Sequence, residues 1–370
     1  MPLYLNEEQS MLRDTARGLV ADIAPVSHLR RLRDGNDAAG WSKDVWQAFA
    51  DMGLPGLMLP DEGLGLGAVE AGIVLEELGR NLTPSPFLGT SVGGAVTLRH
   101  ATAELRAQWS QRLLTGQATV ALALDEGSRH APTRVETTAE PDGNGIVLSG
   151  TKSMVVHGHT ADLLIVSARS DQGLTLVAVE TDRDGIRFNT ERWVDSSWVS
   201  HVTFDDVQVP ATHIIGQIGD ADGIASLILD HMRAGAAAEL VGVARAAFER
   251  TVAYLQERVQ FDRVIGTFQA LQHRAAALYA EIEMAYAATL KAQQLLDADD
   301  AKAHSAAIIA KAQAGLAATL AVQEAVQMHG GIGMTDEHDI GLYMKRARVL
   351  ATLYGHADDL ADQLAREAGY

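Results

Sequence analysis

The chain has no cysteine among its 370 residues. This absence excludes disulfide bridges, cysteine nucleophiles and thiolate metal sites, and no metal site is predicted. The N-terminus shows no basic segment followed by an apolar one, so no signal peptide is predicted. No apolar run approaches the roughly 20 residues of a membrane-spanning helix. We therefore expect a cytoplasmic protein with no membrane partner.

Cationic residues are scarce as well. Lysine and arginine total 30 against 48 aspartates and glutamates, and the formal net charge is −18 at pH 7. Nucleic-acid binding depends chiefly on clustered cations, so we expect no nucleic-acid partner. A polyanionic ligand would have to be held by a local cationic group.

Three regions of the chain differ in their hydrophobic pattern, and together they predict an α+β fold. Residues 1–115 carry apolar residues at three- and four-residue steps, which indicates an N-terminal helical domain. Residues 116–216 contain short β-like runs separated by turns, which indicates a compact antiparallel β domain. Residues 217–370 return to long alanine- and leucine-rich windows, which predict a bundle of four long helices.

Several element boundaries can also be predicted. Helices are expected from Glu7 to about Ile23, from Ser42 to Met52 with Ser42 as the N-cap, and from Val69 to Leu78. In the third region, helix breaks are expected near Gly266, at 297–300 and at 330–333. A hairpin turn is expected at 142–145.

Two segments of the third region together suit a dinucleotide. The first is Arg258-Val-Gln-Phe261, followed by Gln269; the second runs from Gln327 through Gly330 and Gly331 to Gly333. They combine a cation for a pyrophosphate, a flat apolar ring, side-chain amides and a turn without Cβ atoms. Each piece is also typical of an ordinary helix end, where Arg258 would be a surface cation. Their order and spacing favour a nucleotide site.

The chain resembles the acyl-CoA dehydrogenase family over essentially its full length. The resemblance rests on five collinear segments: Met52–Pro60, Leu148–Lys152, Phe204–Pro210, Glu257–Gly266 and Gln327–Gly333. It implies an N-terminal helical domain, a central antiparallel β domain and a C-terminal four-helix bundle. It also implies α,β-desaturation of an acyl-CoA thioester in a homo- or hetero-oligomer of related subunits.

By the same resemblance the cofactor is FAD, bound at a subunit interface with its phosphate end on the bundle. The residues that match the family's cofactor contacts are Arg258, Phe261, Gln269, Gln327, Gly330 and Gly331. The flavin-facing part of the β domain departs from the family pattern. Leu124–Pro132 stands where the family has Thr-Glu-Pro and a Gly-Ser-Asp turn, and Met154–Gly158 stands where it has Trp-Ile-Thr.

The family's reaction needs a base that removes the α-proton, and a desolvated carboxylate with a raised pKa suits this task. In the family a glutamate provides it from one of two positions, which Tyr354 and Met232 occupy here. Glu239 lies seven residues after Met232, on the same helix face and about 10 Å along the axis. Small apolar neighbours make Glu239 the candidate base. The alternative is a buried glutamate paired with Arg233 or Arg245.

Arg233 follows Met232 directly, and the resemblance places this arginine beside the active site. It is a candidate for holding a carboxylate or polarising a ligand, and a structural ion pair is the alternative. Asp230 and His356 are weaker candidates for the base, as a helix-flanking acid and a surface turn residue.

Three functions remain open. The first is an FAD-dependent acyl-CoA dehydrogenase with Glu239 as its base and a bulky or sterol-derived substrate. The second is a non-catalytic partner subunit in a heteromeric acyl-CoA dehydrogenase. The third is a flavin-dependent monooxygenase of the same fold, which needs no carboxylate base.

Overall fold

The computed structural model describes residues 2–59, 63–143 and 145–370. The α-helices of these residues are α1 (Glu7–Ile23), α2 (Val26–Asp34), α3 (Lys43–Asp51), α4 (Ala68–Asn81), α5 (Ala95–Arg99), α6 (Ala103–Leu114), α7 (Asp222–Glu257), α8 (Gln269–Asp297), α9 (Ala303–His329), α10 (Ile340–Thr352) and α11 (Ala357–Glu367). The strands are β1 (Val120–Ala123), β2 (Thr138–Asp142), β3 (Gly145–Val156), β4 (Leu163–Ser170), β5 (Gly173–Glu180), β6 (Ile186–Arg192), β7 (Trp198–Pro210), β8 (Ile214–Ile215), β9 (Val259–Gln260) and β10 (Arg263–Val264).

The predicted helix positions are confirmed. Helix α1 has the predicted bounds, and α3 begins after Ser42, whose hydroxyl accepts a hydrogen bond from the Val45 amide at 3.3 Å. Helices α7, α8, α9 and α10 are separated at the three predicted breaks. The pattern did not indicate α2, or the π-helical turn Leu88–Gly94. Pro60 and Asn144, which belong to the predicted segment 52–60 and the predicted turn 142–145, lie outside the described residues.

The C-terminal helices are less uniform than predicted. Helices α7, α8 and α9 have 36, 29 and 27 residues, whereas α10 has 13 and α11 has 11. The interruption falls at Tyr354 and Gly355, where the backbone takes φ values of 60° and 113°. A positive φ cannot continue a right-handed helix, so the chain turns there.

The chain divides into two compact units. The bundle unit comprises Met1–Arg31, Gly72–Thr83 and Arg233–Tyr370, and the sheet unit comprises Leu32–Ala71 and Pro84–Met232. The domain limits at residues 115 and 216 remain a prediction from the sequence pattern.

The sheet unit is built on a sheet with the strand order β6-β7-β3-β2-β4-β5-β8, and β1 pairs with β4 at its side. Strands β3 and β7 pair antiparallel, as do β4 and β5, but β1 runs parallel to β4 with Val120 opposite Leu163. The sheet is therefore mainly antiparallel, whereas β4 pairs in parallel with both β1 and β2. Its buried face is rich in valine, including Val166, Val177 and Val202.

The bundle unit has a core of small side chains. Alanines of α7 and α9, such as Ala237, Ala244 and Ala318, are fully buried. By length and composition Ala303–Met334 could cross a membrane, but 56% of its apolar window is buried inside the protein. This is weak evidence for a span, because a core helix passes the same test.

Two glycines set the close approach of α4 and α7. A Cβ at Gly79 would lie 2.2 Å from the carbonyl oxygen of Glu239, and one at Gly242 would lie 2.0 Å from that of Glu76. Real Cβ atoms do not approach backbone atoms so closely, so any larger residue must push the helices apart.

We expect Gly242→Ala to lower the free energy of unfolding by about 1–3 kcal/mol, because an overpacked core must shift its backbone. Gly18→Ala is the matched control, since Gly18 lies in α1 with nothing within 4 Å of an added Cβ. That control should raise stability by about 0.5–1 kcal/mol. Chemical denaturation of the three proteins measures both effects. Equal stability of Gly242→Ala and the wild type would contradict the close packing of α4 on α7.

Candidate functional site

The end of the bundle unit carries a strained hairpin. After α7 ends at Glu257, β9 and β10 pair antiparallel, and Phe261 and Asp262 connect them with φ values of 54° and 60°. Two-residue turns with both φ values positive usually contain asparagine or glycine. A phenylalanine in this conformation costs on the order of 1–3 kcal/mol. The residue is 84% exposed and its ring meets that of Phe268 edge-on at 6.1 Å between centroids, so little burial offsets that cost.

Arg258 and Gln269 lie at the base of this hairpin. The Arg258 amide donates to the Tyr254 carbonyl at 2.9 Å, and its carbonyl accepts from the Ile265 amide at 2.8 Å. The backbone of Arg258 is thereby fixed, while its side chain is exposed. Gln269 is the first residue of α8 and is also exposed.

The predicted glycine turn follows α9. The Gly330 amide donates to the Gln327 carbonyl, and Gly330 has φ 65° and ψ −140°, a conformation that other residues rarely adopt. An added Cβ at Gly330 or Gly331 would meet nothing within 4 Å. Gly330 is therefore explained by its backbone. Gly331 has no such explanation within the described chain, and its backbone is open to close approach.

Aromatic stacking brings the two segments to the same end of the bundle. The ring of Tyr254, one turn before Arg258, stacks on the ring of His329 with 4.5 Å between centroids. His329 directly precedes Gly330. We call the six predicted residues at this end the nucleotide cluster: Arg258, Phe261, Gln269, Gln327, Gly330 and Gly331. An exposed guanidinium, an exposed ring and an open glycine backbone fit the phosphate end of FAD.

Glu239 is held by an ion pair. Its side chain is 6% exposed, and one carboxylate oxygen accepts from Arg346 Nε at 2.7 Å and from the terminal nitrogen of Arg346 at 2.6 Å. Arg346 was not among the partners that the sequence indicated. Arg245 pairs with Glu76 at 2.7 Å and with Glu283 at 2.9 Å. A guanidinium stabilises a carboxylate's charge and occupies its lone pairs, and both effects oppose proton abstraction.

Arg233 is buried and binds backbone. Its Nε donates to the Tyr354 carbonyl at 3.1 Å, and a terminal nitrogen donates to Gln363 Oε1 at 3.2 Å. Lys311, which the sequence pattern did not single out, lies nearby with 1% exposure. Its Nζ donates to the carbonyls of Ala351 and Gly355, each at 3.1 Å. Burial, together with the charge of Arg233, lowers the pKa of Lys311 to about 7.

The other base positions are occupied as follows. Met232 is fully buried in the sheet unit, where a Cβ at Gly93 would lie 3.1 Å from its sulfur. Tyr354 is half-buried in its turn. Asp230 is buried, and His356 caps α11 by accepting from the Asp358 amide at 3.4 Å. The structure thus brings Arg233 and Tyr354 together.

In the sheet unit, the two carboxylates of the segment 124–132, Asp125 and Glu126, form hydrogen bonds within the unit. Asp125 contacts His130 Nδ1 at 2.8 Å and accepts from the Ala131 amide at 2.7 Å. Glu126 accepts from Lys152 Nζ at 2.6 Å and from the Thr137 amide at 3.0 Å. Burial raises the pKa of Glu126, but these hydrogen bonds outweigh it and the pKa lies below its ordinary value. The carboxylates of this segment, which differs from the family pattern, therefore stabilise the local structure of the sheet unit.

We expect the protein to gain stability between pH 7 and pH 9 through Lys311. Its folded pKa of about 7 lies below the ordinary value of about 10.4 for an unfolded lysine. The unfolded chain then binds more protons in this window, and each pH unit adds up to about 1.4 kcal/mol. From pH 7 to pH 9, the unfolding free energy of the wild type should rise by about 2 kcal/mol relative to that of Lys311→Met. Urea titration of both proteins at both pH values measures this difference. Parallel pH profiles would contradict this.

Comparisons with known proteins agree on one family. The sequence matches the acyl-CoA dehydrogenase N-terminal domain over residues 6–117, the middle domain over 123–207 and the C-terminal domain over 223–369. It is 33% identical to acyl-CoA dehydrogenase IpdE2 of Mycobacterium tuberculosis over 371 aligned residues, which cover 98% of this chain and 97% of that protein. It is 29% identical to the bovine (Bos taurus) mitochondrial short/branched chain specific acyl-CoA dehydrogenase, covering 84% and 75%.

A solved structure shows the same fold. The structure described as a variant of the Tcur3481-Tcur3483 steroid ACAD superposes with a TM-score of 0.90 at 31% identity, covering 98% of this chain and 99% of that chain. Helices, a central sheet and a helical C-terminal region follow one another in the order that the sequence predicted. The chain belongs to the acyl-CoA dehydrogenase family of oxidoreductases.

Proposed function

We propose that the chain takes part in the FAD-dependent α,β-desaturation of an acyl-CoA thioester. The nucleotide cluster carries this proposal, because Phe261 is strained and exposed and the backbone of Gly331 is open to close approach. Bound FAD would supply the hydride acceptor. Arg258 would pair with a phosphate, the Phe261 ring would cover an apolar part of the nucleotide, and Gly331 would admit close backbone approach.

We further propose a bulky or sterol-derived acyl group. The support is the relative described as a steroid ACAD, at 31% identity over almost the whole chain. The small residues of α7 add nothing to this support, because Ala236 and Ala237 are fully buried in the bundle unit.

The base is the remaining question, and we infer that a related subunit supplies it. Tyr354 and Met232 occupy the two positions from which the family's glutamate acts, and Glu239 is held by Arg346. The carboxylates of the segment 124–132 are engaged with its own backbone and with Lys152. These contacts favour a hetero-oligomer in which this chain contributes the phosphate end of the FAD site. A chain that acts alone, with Glu239 as base, is the competing proposal.

Arg258→Met should weaken FAD binding by about 10- to 100-fold in the assembled flavoprotein, because a hydrogen bond to a charged group contributes about 1.5–3 kcal/mol. Arg274→Met is the control, since Arg274 is an exposed arginine of the neighbouring α8 that pairs with Glu324 at 2.7 Å. Fluorescence titration of the apoprotein with FAD measures both affinities. Equal loss in the two variants would refute a specific role for Arg258.

Anaerobic titration of the same assembly with a panel of acyl-CoA thioesters tests the reaction. Bleaching of the flavin absorbance by bulky acyl-CoA thioesters supports desaturation. Oxygen consumption by the reduced flavin, without bleaching by any acyl-CoA, would point to a monooxygenase instead.

Glu239→Gln should leave turnover of the assembled enzyme within about threefold of wild type, a change of less than 1 kcal/mol in activation free energy. It should lower the free energy of unfolding by about 1–3 kcal/mol, because Arg346 loses its charged partner. Glu283→Gln is the matched control, because it weakens another bundle ion pair with a more exposed carboxylate. Loss of turnover with FAD and fold retained would identify Glu239 as the base and remove the need for a partner.

A further inference from the structure

The turn between α10 and α11 is held from inside the bundle by two buried cations. Lys311 reaches it from the middle of α9 and Arg233 from α7, and together they donate to three carbonyls of the segment 351–355. We call Lys311 and Arg233 the two-cation clamp. Lys311 is 1% exposed and Arg233 is 5% exposed.

The acceptors of the clamp have a clear electrostatic character. Ala351 lies in the last turn of α10, where carbonyls lack intrahelical partners and the helix dipole is negative. A hydrogen-bond donor at this position is favourable, and Lys311 Nζ supplies it, although burial and the charge of Arg233 lower its pKa to about 7. The carbonyls of Tyr354 and Gly355 extend the acceptor set around the turn. Burying a lysine and an arginine costs desolvation free energy, and the lowered pKa of Lys311 reflects that cost.

The clamped backbone is strained at Tyr354. Its φ of 60° lies in the left-handed region, which a bulky L-residue seldom adopts. Gly355 follows at φ 113°, and His356 then caps α11. Arg233 donates to the carbonyl of Tyr354 itself, and Lys311 donates to the carbonyls of Ala351 and Gly355, one on either side of the strained residue. These hydrogen bonds therefore fix the direction in which the side chain at position 354 leaves the backbone.

We propose that Lys311 is a positioning residue that orients the side chain at position 354. The proposal rests on the proposed function, because the family resemblance makes position 354 the one from which a base faces the acyl group. In this chain the clamp presents a tyrosine there. Lys311 thus keeps the backbone geometry of that position although this chain has a phenol there instead of a carboxylate.

The test reads the environment of Tyr354 directly. The full chain is labelled with 3-fluorotyrosine, and the ¹⁹F resonance of Tyr354 is assigned by its loss in Tyr354→Phe. Lys311→Met should shift or split this resonance and leave those of the other tyrosines in place. Thr289→Val is the control for general destabilisation, because it removes a buried hydroxyl that donates to Ala285 at 2.8 Å in the same unit. It should leave the Tyr354 resonance unchanged.

An unmoved Tyr354 resonance in folded Lys311→Met, or an equal shift in Thr289→Val, overturns the proposal. Should Lys311→Met fail to fold, Lys311→Gln retains one uncharged donor and should shift the same resonance by a smaller amount. A chain that orients Tyr354 through Lys311 but bleaches with no acyl-CoA would refute the proposed function and leave the clamp intact.

Discussion

Glutamates that are buried between small-residue helices and paired with partly exposed arginines are the constraint on which the bundle unit depends. Alanine and glycine let the helices approach closely, and the charges that reach the interior find partners on neighbouring helices. Three glutamates are held in this way: Glu76 by Arg245, Glu77 by Arg17 and Glu239 by Arg346. Removing the arginine of such a pair costs about 3–5 kcal/mol, because the glutamate carboxylate stays buried. These carboxylates therefore stabilise the fold, and their ion pairs make them poor candidates for a general base.

The same constraint separates binding from catalysis. A base for α-proton removal needs an available lone pair, and Oε1 of Glu239 accepts hydrogen bonds from two nitrogens of Arg346. The nucleotide cluster, in contrast, keeps its groups outward: Phe261 is 84% exposed, and Gly331 meets nothing within 4 Å of an added Cβ. A bundle unit whose described buried glutamates are paired, and whose end carries an exposed ring, suits the proposed role of a subunit that holds a nucleotide for chemistry completed by another chain. The fold that carries these features is that of the acyl-CoA dehydrogenase family.

Local features of this fold could be predicted from sequence, and long-range ones could not. The N-cap at Ser42 and the helix breaks at 297–300 and 330–333 follow from side-chain chemistry within a few residues, and they are confirmed. The ion pair of Glu239 joins residues 107 positions apart, and Lys311 meets Ala351 across 40, so periodicity gives no sign of either. The parallel pairing of β1 with β4 likewise depends on strand order rather than on either strand's pattern. Lys311 carried one signal, a lone lysine within an apolar helical run, but its acceptors are backbone carbonyls that no sequence motif marks.

The flavin content of the purified assembly tests the central claim most directly. The chain is purified alone and together with a related acyl-CoA dehydrogenase subunit that carries the family's glutamate, and FAD is quantified by absorbance against total protein. We expect a colourless chain on its own and one FAD for each pair of unlike chains in the complex. A yellow homo-oligomer with one FAD per chain would contradict it, because this chain would then hold the whole cofactor without a partner.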